Sequence, residues 1–244
     1  MGTRASQHNA EYFGRVNGST GATVDVYGMF DNNYERNESS RLLVVEVDES
    51  AMVATVVFEH RTGEYTPIFG DNDQLPSGNL LHCYWLEDLQ VKMWMGRSVS
   101  TAADEQFDVR VEELVRETQL PAWRADVQGP LCESGTCDDD ASSWKIYSAE
   151  RFYPRPLVWD VRCNNGTLAF LTTNNFRQNN ADKAYYSVKT VSGDTLTWGN
   201  FGFRPHWQPT AVSVDFGYDY RYAGVVTVRN KWDDETEAAF ECGG

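Results

Sequence analysis

Four histidines, two arginines that follow an Asp-Asn-Asn segment, and a few clustered acids are the residues of this chain with chemistry to offer. Histidine gains and loses a proton near neutral pH, so it serves as nucleophile, base or acid. Arginine presents a fork of donors that matches the oxygens of an anion. The histidines are His8, His60, His82 and His206. His82 lies in the apolar run Leu80–Trp85, directly after Leu75-Pro76-Ser77-Gly78-Asn79, and reads either as a site residue on an innermost strand or as a core histidine. His60 ends a strand beside Glu59 and reads as structural; His206, in Arg204-Pro205-His206-Trp207, reads as packing. Asp71 and Asp73 have the oxygen chemistry of calcium ligands. Acids that form turns are commoner, and no metal or cofactor is expected. Cys132 and Cys137 lack the spacing and the nearby histidine of a zinc site, and a local disulfide between them is expected.

The elements that must position these residues are strands. Pro fixes φ and Gly supplies positive φ, so Leu75 to Asn79 is a turn. Leu80–Trp85 is too short for a helix and reads as the innermost strand of a sheet. Residues 1 to 23 read as mostly polar, with a short aromatic segment at Tyr12-Phe13, and Ile68 to Asp73 as a polar loop. Strands are predicted at Val24–Phe30, Arg41–Asp48, Met52–His60, Leu80–Trp85, Phe107–Val115 and Ala122–Val127. They fall into two units of strand, long loop, strand, short turn, strand. The units start at Val24 and Leu80, a spacing near the repeat length of β-propeller blades. Trp144 to Pro156 reads as a last strand and a Pro-marked linker. From Leu157 onward six short strands at close spacing suggest an immunoglobulin-like β-sandwich, with an acidic, loose tail after Lys231 unless Cys242 ties it down. The expected fold is all-β: partial propeller blades over 1–156 and a sandwich over 157–244.

Bulk composition narrows the partners. The chain has 244 residues, 41% of them hydrophobic, with 21 basic and 36 acidic residues and a net charge of −15. This balance excludes a nucleic-acid backbone or an anionic membrane surface as the natural partner. No apolar run approaches the roughly 20 residues of a membrane span. The N-terminal MGTRASQHN lacks the apolar region of a signal peptide. Five cysteines leave at least one unpaired. The cysteine loop and the sequons at Asn17, Asn37 and Asn165 nevertheless point to an extracellular or secretory-pathway protein.

Taken in order, Gln7-His8-Asn9, Phe30-Asp31-Asn32-Asn33, Ser40-Arg41-Leu42-Leu43, YTPIFGDNDQLPSGNLL at 65–81 and WKIYSAERFYP at 144–154 resemble the arylsulfotransferases, over about residues 6 to 156. The resemblance implies a six-bladed propeller with its site in the central channel. It implies transfer of a sulfuryl group from a phenolic sulfate donor to a phenol acceptor through a sulfated histidine. A full propeller needs roughly twice the residues this chain has before its sandwich, and Asn9 stands where the family often has aspartate. The chain thus resembles the C-terminal part of such a protein, or a degenerate relative.

Carried over residue by residue, His8 matches the motif histidine. Arg36 and Arg41 follow the strand end where the family places a channel arginine, and His82 is a second candidate catalytic histidine. The plain readings stand beside these: a solvated histidine for His8, surface cations for the arginines. If the propeller reading holds, His8, His82 and Arg36 or Arg41 converge on one centre, and a half-propeller self-associates through open sheet edges. The competing function is a secreted β-rich module that binds carbohydrate or protein and does no chemistry.

Overall fold

The computed structural model describes residues 7–18, 21–33, 38–66, 69–86, 109–127, 146–174, 182–205, 208–216 and 223–243. Every regular element among them is a strand, so the protein is all-β. The chain divides into two compact units, Met1–Glu150 and Arg151–Gly244.

The first unit holds two antiparallel meanders of four strands. One is β1 (Gln7–Asn17), β2 (Thr23–Asp31), β3 (Arg41–Asp48) and β4 (Val53–Arg61); the other is β5 (Asp71–Gln74), β6 (Leu80–Trp85), β7 (Val109–Val115) and β8 (Leu120–Val127). Each has one strand more than the sequence pattern predicts. The missed strands are the first of each sheet. β1 contains His8 and the Tyr12-Phe13 segment, and β5 is built from Asp71, Asn72 and Asp73, which read as a polar loop. Its first three side chains are buried although all four are polar, so no hydrophobic alternation marks it. Leu80–Trp85 is consequently the second strand of its sheet, not the innermost, and His82 lies between β5 and β7.

Period-two alternation sends Phe30, Leu42, Val44 and Phe58 to one face of the first sheet, where they meet Leu80, Tyr84 and Leu114 of the second. β4 and β8 are mostly exposed, as outer edges. Gly70 enters β5 at φ +109°, and a Cβ there would lie 2.4 Å from the Phe30 ring. Backbone conformation and close approach both demand glycine at this point.

The second unit joins β9 (Leu157–Asn164), β10 (Thr167–Thr173), β11 (Lys183–Thr190), β12 (Thr195–Gly202), β13 (Thr210–Asp215), β14 (Ala223–Arg229) and β15 (Glu235–Gly243) into one sheet, in the order β12-β11-β14-β15-β9-β10-β13. Residues of β10, β11, β13, β14 and β15 share a single core, which requires the sheet to curl upon itself, nearly closed and barrel-like. β9 and β10 meet through Asn165-Gly166, both at positive φ, the two-residue turn that suits a twisted hairpin. The tail after Lys231 is not loose: it forms β15, tied by the Cys163–Cys242 disulfide. Residues 146–156 form no strand, contrary to the expectation for 144–156. Cys132, Cys137 and His206 lie outside the described residues.

Candidate functional site

β1 opens on Gln7-His8-Asn9. Its pairing with β2 slips between His8 and Glu11, and Asn9 takes φ +46°. A bulge re-aims the side chains next to it, and asparagine tolerates this conformation better than most residues. His8 is thereby turned to Asn32, and Asn9 to Asp71.

Asn32 is fully buried, and its amide has only one orientation available. Nδ2 donates to the carbonyl oxygens of Thr66 (2.7 Å) and Phe69 (2.8 Å). Oδ1 can then only accept, so His8 Nδ1, 2.5 Å away, is the donor. With the proton on Nδ1, Nε2 keeps its lone pair. The imidazole meets Phe69 and Tyr147 edge-on, at centroid distances of 6.2 and 6.4 Å. Phe69 in turn packs on Trp85 and Tyr147. A half-buried imidazole, whose Nε2 has no hydrogen-bond partner among the described residues, thus stands beside an aromatic wall whose outer member, Tyr147, is half exposed.

Ser40 secures the floor. Its hydroxyl accepts from the backbone N–H of Thr66 and lies 3.2 Å from the carbonyl oxygens of Asn32 and Thr66. Asp71, fully buried, accepts from Asn9 Nδ2 and from the backbone N–H groups of Asn72 (2.9 Å) and Ala149 (3.3 Å). Its carboxylate is committed to holding strands together. The same contact gives a reason for Asn9: an aspartate there would face Asp71 with like charge. Asn9→Asp is expected to cost about 1.5 kcal/mol at pH 7, roughly the worth of one pKa unit. Repulsion of this kind favours the protonated folded state, so the loss shrinks as pH falls through the carboxylate range. Denaturant midpoints at pH 7 and pH 4 measure it, and a variant as stable as the parent at pH 7 would remove this explanation.

Arg41 is engaged by two acids. Its guanidinium binds the buried carboxylate of Asp31 through Nε and Nη2, each at 2.8 Å, and Glu59 at 3.2 Å. Arg36 lies outside the described residues.

His82 is enclosed between the two sheets, with no exposed surface. It stacks on Tyr84 at 5.5 Å and meets His60 at 6.5 Å. Nε2 is 3.4 Å from Glu112, whose other oxygen is held by Arg124. The ladder places His82, Glu112 and Arg124 in one cross-strand row. His8 and His82 therefore have different neighbours, and the row around His82 serves the packing of sheet on sheet. Burial holds the His82 pKa below the ordinary histidine value, against the pull of Glu112. An unfolded chain takes up a proton there below about pH 6.5, and the folded one resists it. Stability is expected to fall by up to about 1 kcal/mol between pH 6.5 and 5.5. His82→Gln should flatten that slope; equal slopes for the two proteins would show that His82 does not titrate in this way.

Cys83, the neighbour of His82, is buried and unbridged. Burial first, and then Asp71 and Asp73, push its thiol pKa up, so it offers no thiolate. The residues that sequence reasoning missed are Asn32, as the partner that sets the His8 tautomer, and Phe69 and Tyr147, as its wall. The Phe-Asp-Asn-Asn segment carried the signal for Asn32, and the 65–81 and 144–154 segments contained Phe69 and Tyr147 without marking either as a wall. Compared with protein-family models and with curated proteins, the chain matches none.

Proposed function

We propose that the first unit is two blades of an arylsulfotransferase-like propeller and that His8 is the nucleophile of sulfuryl transfer. The supporting observation is the His8–Asn32 contact: an amide of fixed orientation puts the proton on Nδ1 and leaves Nε2 basic, next to aromatic rings suited to an aryl group. Nε2 attacks the sulfur of a phenolic sulfate, the S–O bond to the phenol breaks, and the phenolate leaves and takes up a proton. The acceptor phenol then gives up its proton, attacks the sulfur and breaks the S–N bond. Neither Arg41, bound to Asp31 and Glu59, nor the enclosed His82 is given a role in this step. The Cys163–Cys242 bridge and the exposed Asn165 sequon support an oxidising, extracellular or secretory setting. Among the described residues no helix is long and apolar enough to cross a membrane.

The test is a chromogenic aryl sulfate with a phenol acceptor. Turnover is expected from the whole chain, with loss of at least about a hundredfold in His8→Ala, the scale of a removed nucleophile or base. Asn32→Ala, which frees the tautomer, is expected to lower kcat by about tenfold or more. No turnover above blank, or unchanged turnover in His8→Ala, would leave the binding-module reading in its place.

A further inference from the structure

The second unit carries a groove that the chemistry of the first does not use. On the outward face of the sheet, register sets two cross-strand rows side by side. One row is Asn200, Tyr185, Arg229 and Glu235; the other is Trp198, Ser187, Thr227 and Glu237. Ser187 and Thr227 are short, and the larger side chains stand around them. The result is a depression of about 370 Å³ lined by Tyr185, Ser187, Trp198, Thr227, Arg229 and Glu235, within the size range of small-molecule sites. Trp198 is 72% exposed and Tyr185 39%. The Arg229 guanidinium lies 5.3 Å from the centre of the Tyr185 ring, which holds that ring in place.

We infer that this groove binds a neutral carbohydrate chain. An indole and a phenol left on a sheet face offer flat apolar surface to the C–H face of a sugar ring, while their polar tips stay wet. The hydroxyls of Ser187 and Thr227 and the charged ends of Arg229 and Glu235 supply donors and acceptors to the rim of such a ring. The charge balance selects the class of ligand. Arg229 already faces Asp233 at 3.3 Å and Glu235 at 4.0 Å, and Glu237 lies in the adjacent row. Among the described residues that line it, the groove therefore has no cation to spare for a sulfated or uronic glycan, and the net charge of −15 opposes one. A polyhydroxylated, uncharged ligand meets neither obstacle.

The experiment uses the full chain and a panel of soluble neutral hexasaccharides: β-1,4-glucan, β-1,3-glucan, β-1,4-mannan and β-1,4-xylan. Binding is read by calorimetry and by tryptophan fluorescence, with sulfated and uronic oligosaccharides as the charged arm. Saturable binding to at least one neutral member is expected, insensitive to salt between about 0.05 and 0.5 M because no counterions are exchanged. Trp198→Ala and Tyr185→Ala should each weaken it by about tenfold, the loss of one stacking surface. Both side chains are on the surface, so the variants should keep the parent's unfolding midpoint. Aryl sulfate turnover should be the same in Trp198→Ala as in the parent, so a failure here is distinct from a failure at His8. The inference is overturned by no binding to any neutral member up to millimolar concentration, by unchanged affinity in Trp198→Ala, or by binding confined to the charged arm.

Discussion

Reduction of the Cys163–Cys242 disulfide is expected to lower the stability of the second unit by about 4 kcal/mol, the chain-entropy value for a closed loop of this size. The bridged residues are 79 apart in sequence. Their position in the sheet makes the loss local. Among the described residues β15 and β9 pair in parallel through two residue pairs, Cys242 with Cys163 and Gly243 with Asn164. That short seam joins the four strands β12-β11-β14-β15 to the three strands β9-β10-β13. Without the bridge it has too few hydrogen bonds to resist opening, and the shared core opens with it. For a unit of this size the thermal midpoint should fall by more than about 15 °C. Because the chain has two units, the measurement is hydrogen exchange resolved by strand, in the oxidised protein and in Cys242→Ser. Protection should drop across β9–β15 and persist across β1–β8. A fall of only a few degrees, or an equal loss in both units, would contradict this account of the seam.

Arg41→Ala is expected to cost about 3 kcal/mol, because it leaves the Asp31 carboxylate charged and buried without its partner. Asp31 is 1% exposed and, among the described residues, keeps the backbone N–H bond from Asn33. The pair sits at the ends of β2 and β3, in register with Arg61 of β4. Asn32 follows directly, so the loss of the pair also loosens the amide that sets the His8 tautomer. Arg41→Lys should recover part of the loss, since a point charge replaces the forked contact. Urea unfolding followed by tryptophan fluorescence measures this. Two outcomes separate a structural from a catalytic Arg41. A large stability loss with modestly reduced turnover supports the strut. Full stability with abolished turnover would return Arg41 to the role of sulfate-binding cation that the family resemblance implies for it.

The all-β character of the chain and most of its strands were legible in the residues themselves. Alternating apolar residues mark Val24–Phe30 and the strands beyond Leu157, because a half-buried strand needs one apolar face and nothing from afar to declare it, and a short apolar run marks Arg41–Asp48. The Leu75–Asn79 turn was equally local: Gly78 takes φ +89°, and its N–H bonds to Leu75. β1 and β5 were hidden for the opposite reason. β1 keeps its polar side chains from His8 onward half-buried or exposed and slips in register, and Asp71 of β5 is buried by partners far away in sequence, Asn9 and Ala149. Hydrogen bonding across such distances leaves no periodicity to read. The chemistry divided along the same line. That arginines follow an Asp-Asn-Asn segment, and that a Gln-His-Asn segment precedes it in the chain, was visible in sequence. Which nitrogen of His8 holds a proton, that Arg41 is taken by Asp31, and that His82 is enclosed between sheets depend on bulges, register and sheet packing, and only the tertiary structure decides those.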